Sequence, residues 1–506
     1  MKEKHYLEIK NNGAPVQRKD IPVLTYPDFY NLVKELLADQ DCHCVAYFAF
    51  PIDIQLKFIC CIANDRTSTI AIFSHIQKGH ELELESLTSE IFAMHVYERE
   101  IHENFGVRFL NHPWLKPIRY PYDRFDRNIV MDNYPFYQIE SDELHEVGVG
   151  PIHAGVIEPG HFRFICNGEK VIHLEIHLGY QHRGIEKLMI EKENGLQRMI
   201  LAESIAGDSV VAHGLAHAGL IESLAGIQVD EQLQIERNIA LELERIAIHI
   251  GDTAALCMDV AYQLGQVVNE ALRTTIINTT QLWCGNRFGK GLIRPGGTNY
   301  PSSPEFIHEM LKTLDDSGKR FMEITDRIYS LPSVLSRFDG IGIITKEQAK
   351  LIGAVGMAAR ITGISRDIRK SHPFQYFKDF PIEPTTLASG DVLARGMLRN
   401  LEARQSFGLI KQWAELLTTK KGNITKPNYN YKLQPDSFAI SLTEGWRGEI
   451  CHTAVTDHDG RIIHYKIKDP SLHNWMALAL AVRNQEISDF QVCNKSFNLS
   501  YCGHDL

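Results

Sequence analysis

The 506-residue chain has no run of eighteen or more apolar residues, which excludes an ordinary membrane-spanning helix. Its first residues, Met1 to Glu8, lack the apolar core of a secretory signal, so no leader is expected. Basic residues are outnumbered, 53 Lys and Arg against 63 Asp and Glu. The formal net charge is −10, and without a basic footprint nucleic acid is not expected as a partner. There is no Gly-x-Gly-x-x-Gly, and the glycine-rich stretch Gly285–Gly291 lacks the spacing and the terminal Ser or Thr of a phosphate loop. No Cys-x-x-Cys pair occurs among the 10 cysteines, which points to reduced, mostly buried thiols. Cys42-His43-Cys44 has no second ligand pair at metal spacing. His213 and His217 share a helix face, but the glutamate of a zinc-protease motif is missing.

The apolar fraction of 44% and charged fraction of 23% describe a folded chain, and the length exceeds one ordinary core. Residues 1–125 alternate strand-like runs (Val45–Phe50, Phe58–Ala63, Ile70–Phe73) with helical spacing at Tyr26–Ala38 and Glu90–Phe105, a small α+β domain. Residues 126–148 read as a connector, rich with its approach in Tyr120, Tyr122, Phe125, Tyr134, Phe136 and Tyr137, and thus a segment that packs on something. Residues 149–506 form a second domain. Strands are expected over 160–177 and 428–468, long helices over 183–225, 230–284, 303–330, 345–363 and 390–418, and a last helix near 470–485. Residues 202–228 are small and nearly uncharged, so that helix should be buried on almost all sides. The overall class is α+β, a mainly helical bundle with small antiparallel sheets behind the N-terminal domain.

Several stretches carry family wording. Glu98–Arg119 resembles the signature of the small peripheral-arm subunit of complex I. Gly150–Phe164, Gly179–Lys187, Arg294–Gly297, Glu402–Ser406 and Glu444–Glu449 resemble, in the same order, the large subunits of energy-converting membrane-bound nickel–iron hydrogenases of the hydrogenase-4 and formate-hydrogenlyase type. The quinone-site subunit of complex I is a related version. The hydrogenase wording Arg-x-Cys-Gly-x-Cys-x-x-x-His finds Gly207 and His213 in frame here, but Ala206 and Ser209 stand at the cysteine positions. Near the C-terminus at most Cys502 matches a ligand. Alanine has no donor and serine is a poor ligand for a soft site, so a nickel–iron centre is expected to be absent.

The resemblance implies a cavity between the loop at 150–164 and the helix at 203–217. It makes His153, His161 and Gly207 the candidate quinone contacts, with Gly207 where complex I has a tyrosine. It makes Glu158, His161, Glu203 and His213 the candidate proton-handling groups, since buried carboxylates beside histidines have shifted pKa values. Pairing of Glu203 and Glu158 with Arg183, Arg294 or Arg447 is the alternative. The resemblance further implies no tightly bound cofactor in this chain, an iron–sulfur cluster in a small partner subunit, antiporter-like membrane subunits, and a peripheral place on the cytoplasmic side of the membrane. Two functions stay open: electron transfer to quinone or another acceptor coupled to ion translocation, or a non-catalytic scaffold in such a complex.

Overall fold

The computed structural model describes residues 5–78, 82–155, 157–419, 422 and 424–506; Val156 of the Gly150–Phe164 loop lies outside them. The N-terminal unit is a twisted sheet of β1 (Leu7–Ile9), β3 (Val23–Leu24), β4 (Cys42–Ile52), β5 (Gln55–Asn64) and β6 (Thr69–Gln77), ordered β1-β6-β5-β4 with β3 parallel on β6. Helices α1 (Tyr26–Leu37) and α2 (His95–Phe105) cover one face; Phe29, Tyr47, Phe58, Phe73 and Tyr97 pack there. The opposite residues, Val45, Phe48, Phe50, Ile59 and Ile72, join the core of the second unit. Both faces are therefore dry. That is why β4 and β5 read as near-continuous apolar runs and not as alternation. A short parallel pair, β7 (Glu83–Glu85) and β8 (Arg108–Leu110), flanks α2.

The two units are stitched together at their first residues. β2 (Val16–Gln17) extends the sheet of the second unit by pairing with β12 (Ser437–Glu444), and Asn11 hydrogen-bonds the backbone of Leu442 and His372. That sheet runs β14 (Ile462–Lys468), β13 (Glu449–Thr456), β12, β2. A third sheet holds β9 (His145–Val149), β10 (His161–Asn167) and β11 (Lys170–His177).

Helices follow in chain order: α3 (Ile185–Glu191), α4 (Gly195–Ala202), α5 (Val210–Ala225), α6 (Glu231–Asp259), α7 (Gln263–Cys284), α8 (Pro304–Ile328), α9 (Pro332–Phe338), α10 (Lys346–Leu351), α11 (Met357–Arg360), α12 (Ile368–Ser371), α13 (Val392–Thr419), α14 (Ser471–Val482), α15 (Phe490–Phe497) and α16 (Tyr501–Asp505). The periodic stretch 183–225 is three helices, not one: Asn194 caps α4, and 203–209 leaves helical geometry. The pattern 230–284 divides at Val260–Tyr262, and 345–363 yields only α10 and α11. α5 is buried on nearly every side, between the β12–β13 sheet and α6. Its small residues are thus covered within the chain, and their apolarity requires no partner.

Candidate functional site

Several of the motifs converge on the last helix. Asp505 of α16 accepts from the backbone N–H groups of Gly179 and Gln181 at 2.9 and 2.8 Å, and Arg183 donates to the carbonyls of Ser204, Ile205 and Cys502. The Gly179–Lys187 motif therefore clamps the C-terminal turn against the stretch before α5. On the other side, the loop at 150–161 meets the same helix: a Cβ on Gly160 would stand 2.6 Å from the Tyr501 ring.

The motif Glu444–Glu449 is a hairpin tip. Gly445 and Gly448 exchange backbone hydrogen bonds at 2.9 and 3.1 Å, which projects Trp446 and Arg447. Gly448 has φ +140°, and a Cβ on Gly356 would overlap its Cα, so glycine at both positions lets the tip seat closely. Arg447 points toward Asp208 and Ser209. Its Nη1 and Nη2 each lie 2.6 Å from the two oxygens of Asp208, Nη1 also reaches Ser209 Oγ at 3.3 Å, and Nε donates to the Asn498 carbonyl at 2.6 Å. The guanidinium stacks on Trp446 at 4.0 Å.

The donors here do not suit a four-thiolate centre. Ala206 ends in a methyl, Ser209 Oγ faces a cation, and Ser500 Oγ caps α16 by accepting from Gly503 N. Gly503 has no room for a side chain, since a Cβ would lie 2.7 Å from Asp469. The half-buried Cys502 is one thiol. Burial pushes its pKa up, Ser500 and Arg183 oppose this, and Asp208 and Glu158 add to it. It is therefore a poor thiolate. Asp457, His458 and Asp459 do form a donor cluster, but on a surface turn at the far end of β13.

The predicted residues divide into two groups. His213 is fully buried on α5 and bonds Asp469 at 3.0 Å. Gly207 is exposed, and a side chain there would meet nothing within 4 Å. Glu158 is exposed on the loop, near enough to Tyr501 and Cys502 to raise their pKa values. Burial is the larger cause at Tyr501, pushing it to about 12. His153 and His161 instead close their own loop, through the carbonyls of Gly160 (2.8 Å) and Gly150 (3.1 Å). Glu203 is paired with Arg294 at 2.5 Å and accepts from Gly291 N at 2.8 Å.

Sequence reasoning missed Asp208, Glu244 and Asp469. Glu244 of α6 accepts from the first N–H groups of α5, at 2.7 Å from Val211 and 3.2 Å from Ala212. Burial pushes its carboxyl up to about 8, against those donors and with Asp208 adding to the rise. Asp469 is raised by burial, but His213 and Arg447 more than offset that and hold it below the usual carboxylate range. Glu244 lies in α6, while Asp208 and Asp469 lie just before α5 and just after β14, so no periodic pattern marked the two aspartates. A separate cavity of about 490 Å³ opens between α2, the connector, β11 and α14, lined by Trp114, Tyr134, Leu174 and Trp475. The site residues above do not line it.

The family model for the 49 Kd subunit of respiratory-chain NADH dehydrogenase matches residues 266–439, and that for the 30 Kd subunit matches residues 30–136. The chain is 30% identical to the carbon monoxide-induced hydrogenase of Rhodospirillum rubrum, over 70% of its own length and 97% of that protein's. It is 26% identical to hydrogenase-4 component G of Escherichia coli (strain K12), covering 80% and 73%. It is also 27% identical to NADH-quinone oxidoreductase subunit 4 of Thermus thermophilus, covering 69% and 90%.

Proposed function

The chain belongs to the family formed by the 49 Kd subunit of respiratory-chain NADH dehydrogenase and the large subunits of membrane-bound hydrogenases, here fused to a 30 Kd-type domain, and from that premise we propose that it is a catalytic-type subunit that has exchanged nickel–iron chemistry for transfer of electrons to quinone or another acceptor. The observation that carries this reading is the Arg447 guanidinium, held by Asp208, Ser209 and the Asn498 carbonyl, with Ser209 at one of the cysteine positions the resemblance implies. A fixed cation at that point stabilises negative charge developing on a reduced acceptor, and the open space beside Gly207 gives a head group room. In this reading Glu158 and the His213–Asp469 pair exchange protons with it, while His161, His153 and Glu203, each bonded to its surroundings, hold them in shape. In this reading an iron–sulfur subunit supplies the electrons. Antiporter-like membrane subunits use the released energy to move an ion, and they hold the arm at the cytoplasmic face. No described helix is long and apolar enough to cross a membrane, so attachment falls to such partners.

The scaffold reading has one observation in its favour: both loop imidazoles bond to their own loop's backbone. Two variants of the purified host complex separate the readings. Gly207→Trp fills the open space without touching the core, and Glu158→Gln removes a proton carrier while keeping its shape. A catalytic subunit loses turnover with both, at least about tenfold for Glu158→Gln. Wild-type turnover in both, with assembly intact, would establish the scaffold.

A further inference from the structure

The face of α5 turned toward the β12–β14 sheet carries a continuous chain of acid–base side chains. His213 Nε2 lies 3.0 Å from Asp469 Oδ2, and His213 Nδ1 lies 3.1 Å from His452 Nε2. His452 Nδ1 is 2.8 Å from the Tyr465 hydroxyl, which is 2.8 Å from His217 Nδ1. All these side chains are buried at 1% exposure or less. His213 and His217 sit one turn apart on α5; His452 and Tyr465 come from the adjacent strands β13 and β14. One atom is unmet: His217 Nε2 is buried and has no hydrogen-bond partner in the structure. The other end, Asp469, abuts Gly503 of the C-terminal turn, next to Arg447 and the positions already described.

We propose that this array is a proton relay that delivers a proton to Asp469 at the motif convergence, with His217 Nε2 as its inlet and the Tyr465 hydroxyl joining its two halves. The proposal rests on the reading of the site as one that reduces an acceptor, since reduction consumes protons. In the resting arrangement His217 carries its hydrogen on Nδ1 and donates to the Tyr465 oxygen. Tyr465 donates to His452 Nδ1, His452 donates through Nε2 to His213 Nδ1, and His213 donates through Nε2 to Asp469. A proton arriving at His217 binds Nε2, the nitrogen that carries no hydrogen in the resting arrangement. The Nδ1–H bond of His217 then breaks as a new O–H bond forms on Tyr465. The old tyrosine proton passes to His452 Nδ1, and the His452 Nε2 proton passes to His213 Nδ1. One proton has entered, none has been lost, and the excess charge now sits on His213 against the Asp469 carboxylate. From there His213 gives its Nε2 proton through Asp469 to the reduced acceptor. Rotation about its C–O bond then resets the Tyr465 hydroxyl, and each imidazole returns its proton from one ring nitrogen to the other before the next turnover.

The charge has a reason to travel in that direction. Burial holds His452 well below its ordinary pKa and, with Arg198 and Arg294, holds His217 at about 3. His213 alone among the three touches a carboxylate. His217 Nε2, with no partner among the described residues, is the one ring nitrogen of the array free to take up a proton.

Tyr465→Phe keeps the ring and the packing and removes only the linking oxygen. In the intact host complex we expect it to assemble and to reduce the partner's iron–sulfur cluster normally, while steady-state turnover falls about tenfold and the solvent deuterium isotope effect rises. Wild-type turnover with an unchanged isotope effect in a folded Tyr465→Phe complex would overturn the relay. Infrared spectra of the purified chain in H2O and D2O give a second, turnover-independent readout. Histidine bands should shift in Tyr465→Phe because the variant uncouples His217 from His452; identical bands would overturn the relay whatever the complex reduces. If the wild-type complex reduces no acceptor while the bands shift, the functional reading fails and the coupled array survives.

Discussion

Arg447 and Asp208 offer a sharp test of how the site is held. The guanidinium side chain is 4% exposed and the Asp208 side chain 33%, with two oxygen contacts at 2.6 Å. Breaking a fully buried pair costs about 3–5 kcal/mol, because the remaining charge stays desolvated. Asp208 keeps a third of its exposure and is partly screened, so the expected cost of Arg447→Met alone falls to about 2–3 kcal/mol. Asp208→Asn alone strands the cation beside Ser209 and the Asn498 carbonyl and should cost about 1–2 kcal/mol, since those acceptors remain. The double variant removes both charges. Methionine can fill the stacked position on Trp446, so its stability should lie above the sum of the two losses, with a coupling of about 1.5 kcal/mol or more.

The assay is denaturant unfolding of the four proteins, with linear extrapolation. Thermal scans are a weaker probe. An unfolding entropy of about 2.1 cal/mol/K per residue over a 506-residue chain makes each kcal/mol worth only about 1 °C if the chain unfolds as one unit. A coupling below about 0.5 kcal/mol would show that the pair is not what holds the hairpin tip to the start of α5, and would refute the reasoning. Turnover gives an independent arm. The double variant restores stability but not the fixed cation, so its activity should stay low.

Three further outcomes are expected. Glu244 has a folded pKa of about 8 against an ordinary glutamate value of 4.5, so the folded state holds a proton the unfolded state releases; stability contributed by this group is full below pH 4.5 and is lost as pH rises through 8. Glu244→Gln mimics the protonated acid and should raise stability at pH 8.5 relative to wild type but not at pH 4.5; parallel pH–stability curves would contradict the assignment. Glu449 accepts Lys468 at 2.5 Å and His43 at 2.6 Å, so Glu449→Gln leaves Lys468 buried without a carboxylate, and hydrogen exchange should show the N-terminal sheet undocking about 3–5 kcal/mol more readily, whereas unchanged protection in β4 and β5 would exclude this. Elemental analysis of purified protein should find nickel far below one per chain, and a stoichiometric content would overturn the reading of Ala206, Ser209 and the unpaired Cys502.

The class and the element types were legible because they rest on local pattern. The strands at 45–50, 58–63 and 70–73 lie inside β4, β5 and β6, and the patterns at 303–330 and 390–418 became α8 and α13. Breaks inside long periodic stretches were not legible. Residues 203–209 are mostly small or polar within a longer periodic stretch, and the chain leaves the helix there so that Asp208 and Ser209 can face Arg447, which lies more than two hundred residues away. The short α15 and α16 were missed for the same kind of reason, since each is too brief for periodicity and is fixed by tertiary bonds such as Asp505 to Gly179.

What each candidate site residue bonds to was harder to read than where it stands in the chain. A histidine in a loop motif carries no sign of whether it faces a ligand or its own backbone, and His153 and His161 took the second course. A polar residue buried within a strand carries more. His452 and Tyr465 sit in strands buried almost throughout, where an unpaired polar group costs stability, so their presence demanded partners. Those partners are the α5 histidines that the helical spacing had already put on one face. The bonding pattern followed from two local rules, period two in the strands and a four-residue step in the helix. What sequence alone left out was the docking of α5 onto β13 and β14, and with it the direction in which a proton can run.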